Sequence, residues 1–199
     1  MHFQKPLIKN KDIDRIIILL HGRGGSAEDL MQFAEQYLPK SKFISLQADN
    51  NEWYPYPFLY PKKENEPFLS SALQAIQKTI QDTKKPLENI FLLGFSQGAC
   101  LAAEFAAQNP AKYGGIFVCS GGLIGDKISQ PSKSFHKTSF FFGCSLNDPH
   151  IPISRVNESI RVFEEKEALV TKHLYPGHTH TITDKEIEII NEIILKSMK

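Results

Sequence analysis

The sequence predicts an α/β fold built on a mostly parallel, doubly wound central sheet with helices on both faces. Three observations carry this. Apolar runs of strand length recur at 15–21, 42–48, 89–95, 114–120, 138–144 and 168–175. These runs are continuous rather than alternating, the pattern of strands covered on both sides. Helical periodicities fill the gaps between them, so strand and helix alternate along the chain as βαβ crossovers require.

Each element has its own signal. The run at 15–21 ends in a glycine-rich loop, His21-Gly22-Arg23-Gly24-Gly25. A helix over 26–38 follows, opened by Ser26-x-x-Asp29 and carrying Leu30, Phe33, Ala34, Tyr37 and Leu38 on one face. After the strand at 42–48, the segment 50–61 is crowded with aromatics and prolines and reads as a loop over the strand ends. Leu69, Leu73, Ile76 and Ile80 mark a helix over 66–84. The strand at 89–95 leads into an alanine-rich helix at 99–108, and the strand at 114–120 into a polar, glycine-punctuated loop at 121–136. Beyond 138–144, Val156, Ile160 and Phe163 place a helix over 154–166. Thr183-x-x-Glu186 is a capping box that opens a last helix bearing Ile187, Ile190 and Ile194.

At 199 residues, with no linker, repeat or low-complexity tract, the chain is expected to form a single domain over 1–199. Lys plus Arg number 23 against 22 for Asp plus Glu, without a basic block, which argues against a nucleic-acid partner. The N-terminus has no charged region followed by an apolar one, and no apolar run is long enough to span a bilayer, so membrane insertion is not expected and a cytoplasmic location is. A homodimer is compatible with this reading. The three cysteines, Cys100, Cys119 and Cys144, lie singly inside apolar segments and are expected as buried free thiols.

The most telling stretch is Gly94-Phe95-Ser96-Gln97-Gly98 between the strand at 89–95 and the helix at 99–108. A serine on a strand-to-helix turn flanked by glycines is the nucleophile elbow of the α/β-hydrolase fold. Ligands of open α/β sheets bind beyond the carboxyl ends of the strands, which selects Asp148 after 138–144 and a histidine after 168–175. The order Ser, Asp, His is the one this fold uses. Serine needs an imidazole to take its proton, and the imidazole needs a carboxylate to fix its tautomer. Asn147-Asp148-Pro149 is also turn-prone, so a turn-forming carboxylate is the plainer alternative. Gly177-His178-Thr179-His180 offers two candidate bases, and His178 and His180 with Asp148 or His150 are a weaker candidate for a metal site. His2, His136, His150 and His173 are otherwise given no role. Two backbone N–H groups are needed for an oxyanion hole: Gln97 follows the nucleophile, and Arg23 lies in the loop after the first strand. That loop does not have the spacing of a phosphate-binding glycine motif.

Leu19-Leu20-His21-Gly22, Gly94-Phe95-Ser96-Gln97-Gly98-Ala99, Asn147-Asp148-Pro149 and Gly177-His178-Thr179-His180-Thr181-Ile182 occur in that order. Together they resemble the phospholipase/carboxylesterase family, whose best-known members are acyl-protein thioesterases. The resemblance runs from about Asp14 to the last helix. It implies that His180 rather than His178 is the base and that Arg23 and Gln97 supply the oxyanion N–H groups. Compact bacterial members are most similar, in His21-Gly22-Arg23-Gly24-Gly25 and Trp53-Tyr54-Pro55. Trp53 and Tyr54 would then line a substrate pocket, or else the loop merely covers the core. The Arg23 side chain would anchor a substrate carboxylate or hold the loop. The expected activity is hydrolysis of small to medium-chain carboxylic esters through an acyl-Ser96 intermediate, without a cofactor or metal. A thioesterase or lysophospholipase is the alternative, and a non-catalytic binding protein on the same fold is the reading from another class.

Overall fold

Seven strands form one sheet in the computed structural model, which describes residues 6–10 and 13–197. His2 and the first five residues, read above for a leader, lie outside the described residues. The strands are β1 (Leu7–Lys9), β2 (Ile16–Leu20), β3 (Lys42–Leu46), β4 (Ile90–Phe95), β5 (Gly115–Cys119), β6 (Ser139–Ser145) and β7 (Leu169–Tyr175). Their order is β1-β3-β2-β4-β5-β6-β7, and every pair is parallel except β1 with β3. The sequence reading does not anticipate β1. Its three residues are all exposed, so neither a buried run nor an alternating pattern marks them.

The helices are α1 (Ala27–Tyr37), α2 (Phe68–Thr83), α3 (Gln97–Gln108), α4 (Ile153–Glu164) and α5 (Asp184–Lys196). Because side chains alternate across a strand, the even residues of Ile16–Leu20 join one core and the odd residues the other. Ile16, Ile18 and Leu20 pack with α2, α3 and α4, while Ile17 and Leu19 pack with α1 and α5. All five residues of β2 are buried, which explains its unbroken apolar sequence. The α3 helix starts at Gln97, two residues earlier than its alanine content suggests, so the nucleophile candidate immediately precedes it.

The topology also fixes where a ligand can bind. The chain leaves β2 toward β3 and then crosses back over β2 to β4, so the winding reverses between β2 and β4. A crevice opens at the carboxyl ends of strands flanking such a reversal. The glycine loop leaves β2 there and Ser96 leaves β4 there.

Candidate active site

Ser96 has φ 54° and ψ −117°, a sparsely populated backbone conformation for a residue with a side chain. It is held there from both sides. Its N–H donates to the carbonyl of Cys119 (2.9 Å) and its carbonyl accepts from Cys100 N–H (3.0 Å). A Cβ at position 94 would collide with the carbonyl of Gly98, and one at position 98 would collide with the carbonyl of Leu20. Both glycines are therefore set by close approach of backbone to backbone. The turn lifts the serine hydroxyl clear of the sheet end.

His180 Nε2 lies 2.8 Å from Ser96 Oγ, and His180 Nδ1 lies 2.8 Å from Asp148 Oδ2 and 3.0 Å from Oδ1. With Nδ1–H donated to Asp148, Nε2 is left as the acceptor that faces the serine. Both ring nitrogens are thereby engaged, which leaves His180 none for the metal set considered above. Among the described residues no cluster of three or more His, Cys, Asp or Glu is placed to hold a metal. His178, two residues away, is exposed.

The loops that carry Asp148 and His180 are tied together. Beyond the β6–β7 ladder, Leu146 N–H donates to the Tyr175 carbonyl (2.8 Å) and Asn147 N–H to that of Gly177 (3.1 Å). Ser145 Oγ donates to the carbonyl of Thr179 (2.8 Å). Three residues after His180, the Thr183–Glu186 capping box starts α5 and ends the loop.

The Asp148 side chain has no solvent exposure. Burial works to raise its carboxyl, but donation from His180 and from the backbone N–H groups of His150 (2.9 Å) and Ile151 (3.0 Å) outweighs burial and holds it below the ordinary carboxylate range. The turn-forming role and the role as partner of His180 thus coexist in one carboxylate. That same turn brings His150 to the cleft, with its ring edge-on to His180 at 4.8 Å. The sequence assigns His150 no independent role, and its position two residues after Asp148 is the one signal for it.

A cavity of about 460 Å³ opens over the serine, lined by Gly22, Arg23, Tyr54, Pro55, Pro57, Phe58, Phe95, Ser96, Gln97, Cys100, His150, Ile151 and His180. Arg23 and Gln97 both border it. The Gln97 N–H is the first of α3, where backbone donors lack an intrahelical partner and the helix dipole is positive. The Gln97 side chain is locked across the cleft, accepting from Trp53 N–H (2.9 Å) and donating to the Tyr54 carbonyl (2.8 Å). The Arg23 guanidinium pairs with Glu52 and donates to the carbonyl of Tyr54 (2.7 Å), so it holds the aromatic loop.

Trp53 and Tyr54 part company. Tyr54 lines the cavity and Trp53 does not. The indole is 2 % exposed, packs on the His21 ring at 4.9 Å and donates Nε1–H to the His21 carbonyl (2.8 Å). A buried indole goes where its N–H finds an acceptor, and here that lies behind the cleft. Of the two expectations for this loop, Trp53 therefore fits the one in which it covers the core, lying behind the cavity over Ser96 and not in its wall. His21 itself is buried with its ionisation pushed down by burial, its Nδ1 against the Gly22 carbonyl (2.7 Å) and its Nε2 accepting from Ala48 N–H (3.1 Å). It shapes the glycine loop.

Cys100 also borders the cavity, but burial pushes its thiol up to about 12, so it remains a poor nucleophile at neutral pH. Cys100, Cys119 and Cys144 are all free and buried.

An α/β-hydrolase sheet with a serine elbow and a Ser–His–Asp chain defines the class. The chain matches the phospholipase/carboxylesterase family over residues 7–198 and belongs to it. The crystal structure of a phospholipase/carboxylesterase from Dyadobacter fermentans is 37% identical with a TM-score of 0.92, covering 98% of this chain and 99% of that one. Acyl-protein thioesterase 1 of Kluyveromyces lactis is 27% identical, over 96% of this chain and 95% of its own length. Carboxylesterase SOBER1 of Arabidopsis thaliana is 26% identical, over 92% and 90% respectively.

Proposed function

We propose that the protein is a serine carboxylesterase for small to medium-chain carboxylic esters. The observation that carries this reading is the unbroken chain Ser96 Oγ, His180 Nε2, His180 Nδ1, Asp148 Oδ2, with 2.8 Å at each hydrogen bond. Ser96 attacks the ester carbonyl as His180 takes its proton, and the N–H groups of Arg23 and Gln97 receive the oxyanion. His180 then protonates the departing alcohol, and a water activated by the same imidazole hydrolyses the acyl-serine. The acyl chain occupies the 460 Å³ cavity, whose apolar wall is Pro55, Pro57, Phe58 and Ile151.

Thioester hydrolysis is the second reading, favoured by similarity to proteins named acyl-protein thioesterase 1. The same machinery serves both bonds. The test is a substrate screen pairing oxygen esters and thioesters of equal acyl length, run on wild type and Ser96→Ala. Wild type is expected to hydrolyse short and medium oxygen esters with the higher kcat/KM, and Ser96→Ala to lose on the order of 10⁴-fold or more. Higher kcat/KM on thioesters transfers the assignment to thioesterase. Retention of more than about a tenth of wild-type turnover in Ser96→Ala defeats both readings.

A further inference from the structure

A second cavity, of about 240 Å³, lies across Gly22 and Phe95 from the first, and these two residues line both. Its other walls include Leu30 and Phe33 of α1, and Thr181 and Ile182, which directly follow His180. Phe33, Phe95 and Ile182 are all half-buried, so apolar surface faces an open groove. Position 22, between the two cavities, carries no side chain. A Cβ there would come within 3.1 Å of the Phe95 ring and 3.3 Å of Ser96 Cβ.

We propose that this second cavity is the subsite for the leaving group, and that it selects alcohols or thiols with an apolar, non-anionic body. The inference rests on the esterase reading above. Its chemical ground is the position of the general acid. The departing atom must be protonated by His180, so the chain attached to that atom leaves on the side of the histidine. The Phe95 ring packs on His180 at 5.0 Å, and Thr181 and Ile182 continue the backbone from it. An ester whose carbonyl carbon meets Ser96 therefore places its acyl chain in the larger cavity and its alcohol portion over Gly22 and Phe95 into the smaller. The exposed carboxylate of Asp29 borders this groove, and it opposes a leaving group that ends in a negative charge.

The test is a series of esters with one fixed acyl group and alkyl alcohols of similar acidity, from methyl through butyl to 2-phenylethyl, measured as kcat/KM. A fully buried CH₂ is worth about fourfold. In a groove open on one side the rise from methyl to butyl is expected to be on the order of tenfold. Phe33→Ala and Ile182→Ala should flatten this dependence while the dependence on acyl-chain length, measured with methyl esters, keeps its slope. Thr181 is exposed, so Thr181→Phe tests the same point by obstruction without removing core: it should penalise the 2-phenylethyl ester more than the methyl ester. A butyl alcohol ending in a carboxylate should fall about tenfold or more below the uncharged one, and Asp29→Asn should narrow that gap. A wild-type series flat from methyl to 2-phenylethyl overturns the subsite even where esters are hydrolysed well. Variants that change acyl and alcohol dependence together overturn it too. An enzyme inactive on every ester and thioester overturns both this inference and the reading it rests on.

Discussion

Asp148, at the end of β6, and Glu186, at the start of α5, are two carboxylates removed from solvent within the same corner of the molecule. Burial pushes both upward, yet they end on opposite sides of the ordinary range. Asp148 is held below it because His180 and two backbone N–H groups converge on its oxygens. Glu186 is left above it, since Thr183 supplies both of its donors to Oε2 alone while Oε1 has no hydrogen-bond partner. Oε1 abuts Gly143 so closely that a Cβ at that position would collide with it. Burial alone does not set the ionisation of a carboxylate; the number and direction of donors do. The donors also separate the two positions: Asp148 is hydrogen-bonded to the His180 imidazole, as the orienting carboxylate of the proposed mechanism must be, whereas Glu186 caps the helix that ends the loop carrying that histidine.

The two carboxylates are expected to differ most in turnover. Asp148→Asn keeps the shape but presents a donor to Nδ1, which favours the wrong tautomer, and a loss of about 10³–10⁴-fold in kcat is expected. Glu186→Gln retains the acceptor that caps α5 and should stay within about threefold of wild type. Comparable losses in the two variants, with both folded by circular dichroism, would erase the distinction drawn here. The histidines sharpen the same principle. His180→Ala should cost on the order of 10³-fold or more in kcat, whereas exposed His178→Ala should cost less than about tenfold.

Stability against pH gives the smallest effect and the clearest sign. Asp148 is lowered on folding, so its contribution is present above the unfolded value of about 3.9 and is lost as pH falls through the folded value. Glu186 is raised, so its contribution is present below about 4.3 and is lost as pH rises through the folded value. Relative to wild type, the Asp148→Asn deficit in melting temperature should shrink toward acid pH. Any advantage of Glu186→Gln should be greatest at neutral pH and fade toward acid. Each kcal/mol shifts the midpoint by about 2–4 °C in a chain of this size. Parallel pH trends for the two variants would contradict the assigned directions.

Much of this architecture is written locally. Continuous apolar runs mark β2 and β4 to β6 because both of their faces are covered, and the serine elbow is marked by glycines that backbone contacts demand. Asp148 is legible from its place after a strand, as is a histidine in the loop at 177–181, but position alone leaves His178 and His180 as equals and only the family resemblance points to His180. What is not legible depends on which way a loop turns. Within Trp53-Tyr54, nothing in the sequence says that the indole seeks the His21 carbonyl while the neighbouring ring faces the cleft. The fate of the Arg23 side chain needed the position of Glu52, and the presence of His150 beside His180 needed the turn that Asp148 itself builds. Strand β1 stays hidden because an exposed three-residue edge obeys no burial pattern.

In the proposed mechanism Ser96 is the nucleophile and His180, held by Asp148, activates it. Peptide mass mapping after reaction with a fluorophosphonate tests this most directly, because the reagent traps the activated oxygen itself. One adduct is expected, on Ser96, formed rapidly in wild type, absent in Ser96→Ala and slowed by orders of magnitude in His180→Ala. An adduct on another residue, or labelling of Ser96 at an equal rate without His180, would contradict it.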